Sequence, residues 1–185
     1  MFPYLSEFAT IENAVESRPI IGVMGSGAAP HRERAEVLGR LVARLGAHLL
    51  TGGGGGVMAA VSRAFVESPG REGQAIGVFP GDESGAAREG YPNPWVEIPI
   101  RTHLPLSGER GEDALSRNHI NILSADLVVA LPGGPGTASE VRLARRYGKP
   151  VVAFVDSAED ILELPQNVPI AETIEQVEAF LVEKM

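Results

Sequence analysis

Apolar residues come in short blocks along this 185-residue chain, and the blocks alternate between two spacings. Pro19 to Met24, Ala47 to Thr51, Gln74 to Pro80 and Trp95 to Ile100 are short and rich in β-branched residues, and they predict strands. Leu127 to Leu131 and Val151 to Val155 are apolar at every position, the pattern of strands covered on both faces of a parallel sheet. Between them the spacing changes. His31 to Gly46 has apolar residues at 35, 37, 38, 41, 42 and 45, which share one helical face. Val57 to Ser68 and Ala114 to Ser124 predict further helices, and another follows Gly136. Ala171 to Lys184 turns Ile174, Val177, Phe180 and Leu181 to one side, as a last helix. Residues 1–18 predict a short helix and a linker. The alternation predicts a Rossmann-like α/β fold, an open parallel sheet with helices on both faces and right-handed crossovers. No internal linker is long enough to divide the chain, so one domain over 1–185 is expected.

Composition narrows the function classes. The formal net charge of −8 runs against a general nucleic-acid binder, although backbone N–H groups can still build one small anion site. There is no cysteine, which removes disulfide and thiol chemistry. The first residues have an early Glu7 and no cationic segment before an apolar core, so no signal peptide is read. No apolar run reaches membrane-spanning length. A cytoplasmic protein without a membrane partner is expected. His31, His48, His103 and His119 match no zinc spacing, and no metal site is expected.

Three glycine loops share one position, after a strand and before a helix. They are Gly25-Ser26-Gly27, the run Gly52 to Gly56 that includes Gly53, Gly54 and Gly55, and Gly133-Gly134-Pro135-Gly136-Thr137. Open sheets bind ligands outside that edge, and helix N-terminal N–H groups there favour phosphate. None is a Walker A loop, since no Lys-Ser or Lys-Thr follows the glycines. The first lacks the dinucleotide pattern, because Pro30 follows and no acid closes the next strand. The polar segment 81–93 is placed to lie over such a site.

Arg117 and Glu140 stand out between these loops. From Arg117 the helix descends about 10 Å to Ser124 at 1.5 Å per residue. The strand from Leu127 then climbs back about 16 Å. Both side chains thus reach the rim of the glycine loops. An arginine there can hold a phosphate or a carboxylate, and a carboxylate beside a ribose can steady positive charge or orient water. Competing structural readings exist. Thr137 and Glu140 also spell a capping box, and Arg117 also suits a surface ion pair. Asp82, Glu83 and Asp113 stay surface acids on spacing alone.

Together these residues resemble the LOG-like family, long labelled lysine decarboxylase-like. Its P-G-G-x-G-T-x-x-E hallmark is met by Pro132 to Glu140. Its T/S-G-G-G-x-x-G-x-M segment is approached by Thr51 to Met58, one residue shorter. The resemblance runs from about Ile20 to Val155. It implies a Rossmann-like homodimer with a nucleoside 5′-monophosphate site, and a phosphoribohydrolase that cleaves the N-glycosidic bond of AMP or N6-modified AMP without a metal or other cofactor. It implies Arg117 and Glu140 as the catalytic pair. The phosphate would lie among Gly25, Ser26, Gly27, Gly53, Gly54, Gly55, Gly133, Gly134, Gly136 and Thr137. Where the hydrolases carry Arg-Lys, this chain carries Arg117-Asn118, and Asn118 is a further candidate ligand contact. An Arg-Asn pair resembles a sister branch that includes molybdenum-cofactor carrier proteins. The alternative is therefore a protein that binds a nucleotide or that cofactor and releases it unchanged. A third reading is an α/β protein whose loops only cap helices.

Overall fold

A computed structural model describes residues 17–82 and 84–185. The N-terminal helix expected over 1–18 falls, but for its last two positions, outside the described residues, and so does Glu83.

The strands are β1 (Ile20–Met24), β2 (His48–Thr51), β3 (Ala75–Phe79), β4 (Ile98–Arg101), β5 (Leu127–Ala130), β6 (Val151–Phe154) and β7 (Ile170–Ala171). They form one sheet in the order β4-β3-β2-β1-β5-β6-β7, parallel throughout. The helices are α1 (Arg32–Arg44), α2 (Gly56–Val66), α3 (Asn118–Ser124), α4 (Pro135–Arg146) and α5 (Ile174–Lys184). One face of the sheet is covered by α1, α2 and α5 through Leu38, Val61, Phe65 and Leu181. The other is covered by α3 and α4 through Ile122, Val141 and Leu143. Every residue of β5 and β6 is buried, as their unbroken apolar runs require. No helix among the described residues is long and apolar enough to cross a membrane.

The chain builds outward from β1 to β4 and then crosses back to β5. Strand order therefore reverses between β1 and β5, where Met24 pairs with Ala130. A crevice opens outside the C-terminal ends of strands at such a reversal. The Ser26 N–H donates to the Pro132 carbonyl at 3.1 Å, so the first and third glycine loops are tied together at its floor.

Several boundaries differ from expectation, each for a local reason. α3 starts at Asn118 rather than Ala114, because Leu106 N–H donates to Leu115 O and Ser116 N–H to Asp113 O, spending that stretch on a turn. β4 starts at Ile98 rather than Trp95. The Asn93 side chain accepts from Trp95 N–H, and the chain is free to pair only from Glu97, whose N–H donates to Ala75 O. α5 starts at Ile174 rather than Ala171, because Thr173 and Gln176 form a capping box and Ala171 is drawn into β7. That two-residue strand is too short to leave a periodic signal.

Candidate functional site

A hollow of about 320 Å³ lies at the β1/β5 crevice. Gly25, Ser26 and Gly27 from the loop after β1 line one wall, and Gly134, Gly136 and Thr137 from the start of α4 line the facing wall. Arg117, Asn118 and Glu140 lie between them.

Local sequence explains how α4 presents its N-terminus. Gly134 is the N-cap and Pro135 takes the first helical position, where its fixed φ suits the helix and its missing N–H costs nothing. The N–H groups of Gly136 and Thr137 fall in the first turn, where no intrahelical acceptor exists. They leave a partial positive charge on that wall. The early start also corrects one expectation. Thr137 stands inside the first turn and is not an N-cap, so Thr137 and Glu140 form no capping box.

Glu140 instead meets Arg117. Arg117 Nη1 donates to Glu140 Oε1 at 3.0 Å, and the two side chains are 6% and 8% exposed. The surface-pair reading of Arg117 is thereby overturned, because burial removes it from solvent. The same Nη1 donates to Asn118 Oδ1. Asn118 Nδ2 donates in turn to Ser139 Oγ at 3.0 Å, and Ser139 Oγ to Gly136 O at 2.7 Å. The chain of bonds fixes the guanidinium against α4. Arg117 Nε is buried and has no partner among the described residues. Nη2 lies against Gly52, where an added Cβ would approach it to 2.6 Å. Only a glycine lets the arginine cross this loop.

Burial pushes the Glu140 carboxyl above the usual carboxylate range. The Arg117 charge and hydrogen bond oppose the shift. The Asn121 amide favours the ionised form as well, without meeting hydrogen-bond geometry.

Gly52 lines the hollow, but Gly53, Gly54 and Gly55 do not, and neither does Gly133. Gly53 has φ +72° and packs on Phe79. Gly54 lies under Met58 and Tyr91, and Gly55 faces the Gly27 carbonyl. Gly133 leaves room for the Thr137 hydroxyl, 2.1 Å from where its Cβ would stand. These glycines shape the walls from behind.

Sequence reasoning missed several wall residues, among them Met58, Tyr91, Ser107 and Gly108. Met58 closes the second hallmark segment, which was a usable signal. Tyr91 is an aromatic in a polar loop of a chain only 5% aromatic, a second one. Ser107 and Gly108 carried none. His119 lies outside the hollow: Tyr147 meets its Nδ1, and the carbonyls of Glu112 and Asp113 meet its Nε2. Among the described residues no group of three or more His, Asp or Glu gathers to ligate a metal.

A family model for the SLOG cluster4 family matches residues 18–180. An uncharacterised protein of Archaeoglobus fulgidus is 29% identical over 136 residues, 72% of this chain and 78% of its own. The molybdenum cofactor binding protein of Rippkaea orientalis is similar in structure, with a TM-score of 0.73 and 35% identity over 91% of this chain and 98% of that one. The molybdenum cofactor carrier protein of Chlamydomonas reinhardtii is similar with a TM-score of 0.68 and 31% identity, covering 90% and 98%.

Proposed function

From a chain that belongs to the SLOG cluster4 family, we propose a binding and carrier function for a phosphorylated heteroaromatic compound, a pterin phosphate of the molybdenum-cofactor type or a nucleoside monophosphate, released unchanged. The observation that carries this reading is the closed Arg117–Glu140 pair at the mouth of the α4 N-terminus. Glu140 already spends an oxygen on Arg117, and Asn118 holds that arginine in place. Arg117 Nε has no partner among the described residues, and Arg117 shares the hollow with the first-turn N–H groups of α4. Such a site grips a phosphate and leaves little carboxylate free for chemistry on a sugar. A hollow of about 320 Å³ is at the small end for ligand sites, which suits a single ring system with one phosphate better than a dinucleotide. With no metal-ligating cluster among the described residues, any metal in the cargo would be held through its organic part. The likeness to the two molybdenum-cofactor proteins supports the same reading.

N-glycosidic hydrolysis of AMP or N6-modified AMP is the second reading. It draws on Glu140 lining the hollow with its carboxyl raised by burial. There, ribose would lie toward Glu140, whose carboxylate would steady the oxocarbenium-like charge or orient water.

Equilibrium dialysis against a pterin monophosphate and AMP, with Arg117→Ala beside the parent, tests binding at this site. Saturable binding lost in the variant is the expected result. Equal retention by both would place the ligand elsewhere.

A further inference from the structure

Gly53 and Gly54 of the second glycine run lie behind the hollow, and their packing role is visible in what they support. Asn93 is buried and bonds this run twice: its N–H donates to Gly53 O at 2.8 Å, and its Nδ2 to Gly54 O at 2.9 Å. Two residues earlier, Tyr91 is thereby laid across Gly54. A Cβ on Gly54 would stand 2.9 Å from both Tyr91 Cε1 and Met58 Cε. The glycine lets an aromatic ring and a thioether converge over one backbone position. From behind, Tyr91 stacks on the fully buried Phe79, with centroids 6.3 Å apart and ring planes at 29°. Phe79 is itself fixed, because Thr102 Oγ1 donates to its carbonyl. Tyr91 is half-buried and lines the hollow, and its hydroxyl bonds no described residue.

We propose that Tyr91, backed by Phe79 and flanked by Met58, is the platform on which the ligand's planar heteroaromatic ring rests. The inference rests on the phosphate-ligand reading above and adds the second half of the recognition. The α4 N-terminus takes the anion, and Tyr91 and Met58 take a purine or pterin ring by stacking and sulfur–aromatic contact. Such contact tolerates different rings, because each offers a π face. A tyrosine that merely covered Phe79 would do so equally well as leucine, which gives the test its control.

The experiment measures dissociation constants by calorimetry for AMP, a pterin monophosphate and ribose 5-phosphate, on the parent protein, Tyr91→Phe and Tyr91→Leu. Ribose 5-phosphate carries the anion without a ring. Tyr91→Leu is expected to weaken whichever ring-bearing ligand binds by about tenfold or more, to leave ribose 5-phosphate within about twofold, and Tyr91→Phe to retain parental affinity. If Tyr91→Leu weakens all three alike, or none, the platform is overturned and the anion site stands. If the parent binds ribose 5-phosphate as tightly as the ring-bearing ligands, the platform is likewise overturned. If no probe binds, both the platform and the phosphate-ligand reading fall.

Discussion

Replacing Arg117 with methionine removes the cation but keeps a long unbranched side chain in the same space. Glu140 is then left without its partner at 3.0 Å, in a position only 8% exposed. Breaking a buried pair from one side costs about 3–5 kcal/mol, because the remaining charge is desolvated and uncompensated. An exposed pair of the same geometry contributes about 1 kcal/mol or less. The two cases are far enough apart to separate by urea denaturation at pH 7. The set needed is the parent, Arg117→Met, Glu140→Leu and the double variant. The double variant is expected to regain most of the loss, since no charge remains to be buried. Acid should also narrow the deficit of Arg117→Met, because a protonated Glu140 no longer needs a cation. A loss under about 1 kcal/mol in Arg117→Met, with no coupling in the double variant, would refute the claim that a desolvated pair organises the site.

Other expectations follow from single contacts. Burial raises Glu140 above the usual carboxylate range, so the folded chain holds that proton more tightly than the unfolded one. Its contribution to stability is therefore fullest in acid and declines as pH rises through the ordinary range to the folded value; Glu140→Gln should flatten that slope in denaturation curves. Glu97 has the opposite sign. Burial works to raise it, but the Ala75 N–H and the Arg71 guanidinium outweigh that and hold it below the usual range. Glu97→Gln should destabilise near neutral pH and lose its effect as pH falls below the folded value, read from melting curves across pH. Ser139→Ala strands Asn118 Nδ2 behind the arginine, and a loss of about 1–3 kcal/mol is expected by urea titration. Thr173→Ala removes the α5 cap and should cost about 1 kcal/mol, seen as a lower Tm.

Much of this site was legible in the sequence because it sits on regular elements. Unbroken apolar runs at Leu127–Leu131 and Val151–Val155 fix two central strands, and the turns after them follow by chain order. Arg117 and Glu140 were found because helix rise and strand rise together return both to one rim. What stayed hidden depends on contacts between distant loops. Tyr91 reaches the hollow only because Asn93 bonds Gly53 and Gly54, some forty positions earlier in the chain, and no periodicity encodes that. The same docking gives Gly53 and Gly54 a packing role, so in sequence a support for rings and a phosphate cradle look alike. Their glycine content answers to rings packed behind the wall, and the composition alone is equal in both cases. Likewise, the T-x-x-E spacing of Thr137 and Glu140 fits a cap until Pro135 sets the start of α4 two residues upstream.

The central claim, that a phosphorylated ring compound is held and returned intact, is tested most directly by the fate of the ligand. Purified protein would be incubated, at concentrations high enough to see one turnover, with AMP, an N6-modified AMP and a pterin monophosphate. Bound and free fractions would then be separated and identified by chromatography with mass detection. The account predicts saturable retention of a ligand recovered whole, with no free base and no ribose 5-phosphate. Release of adenine or the N6-modified base at the parent's site, abolished in Glu140→Ala, would contradict it and establish the hydrolase reading in its place.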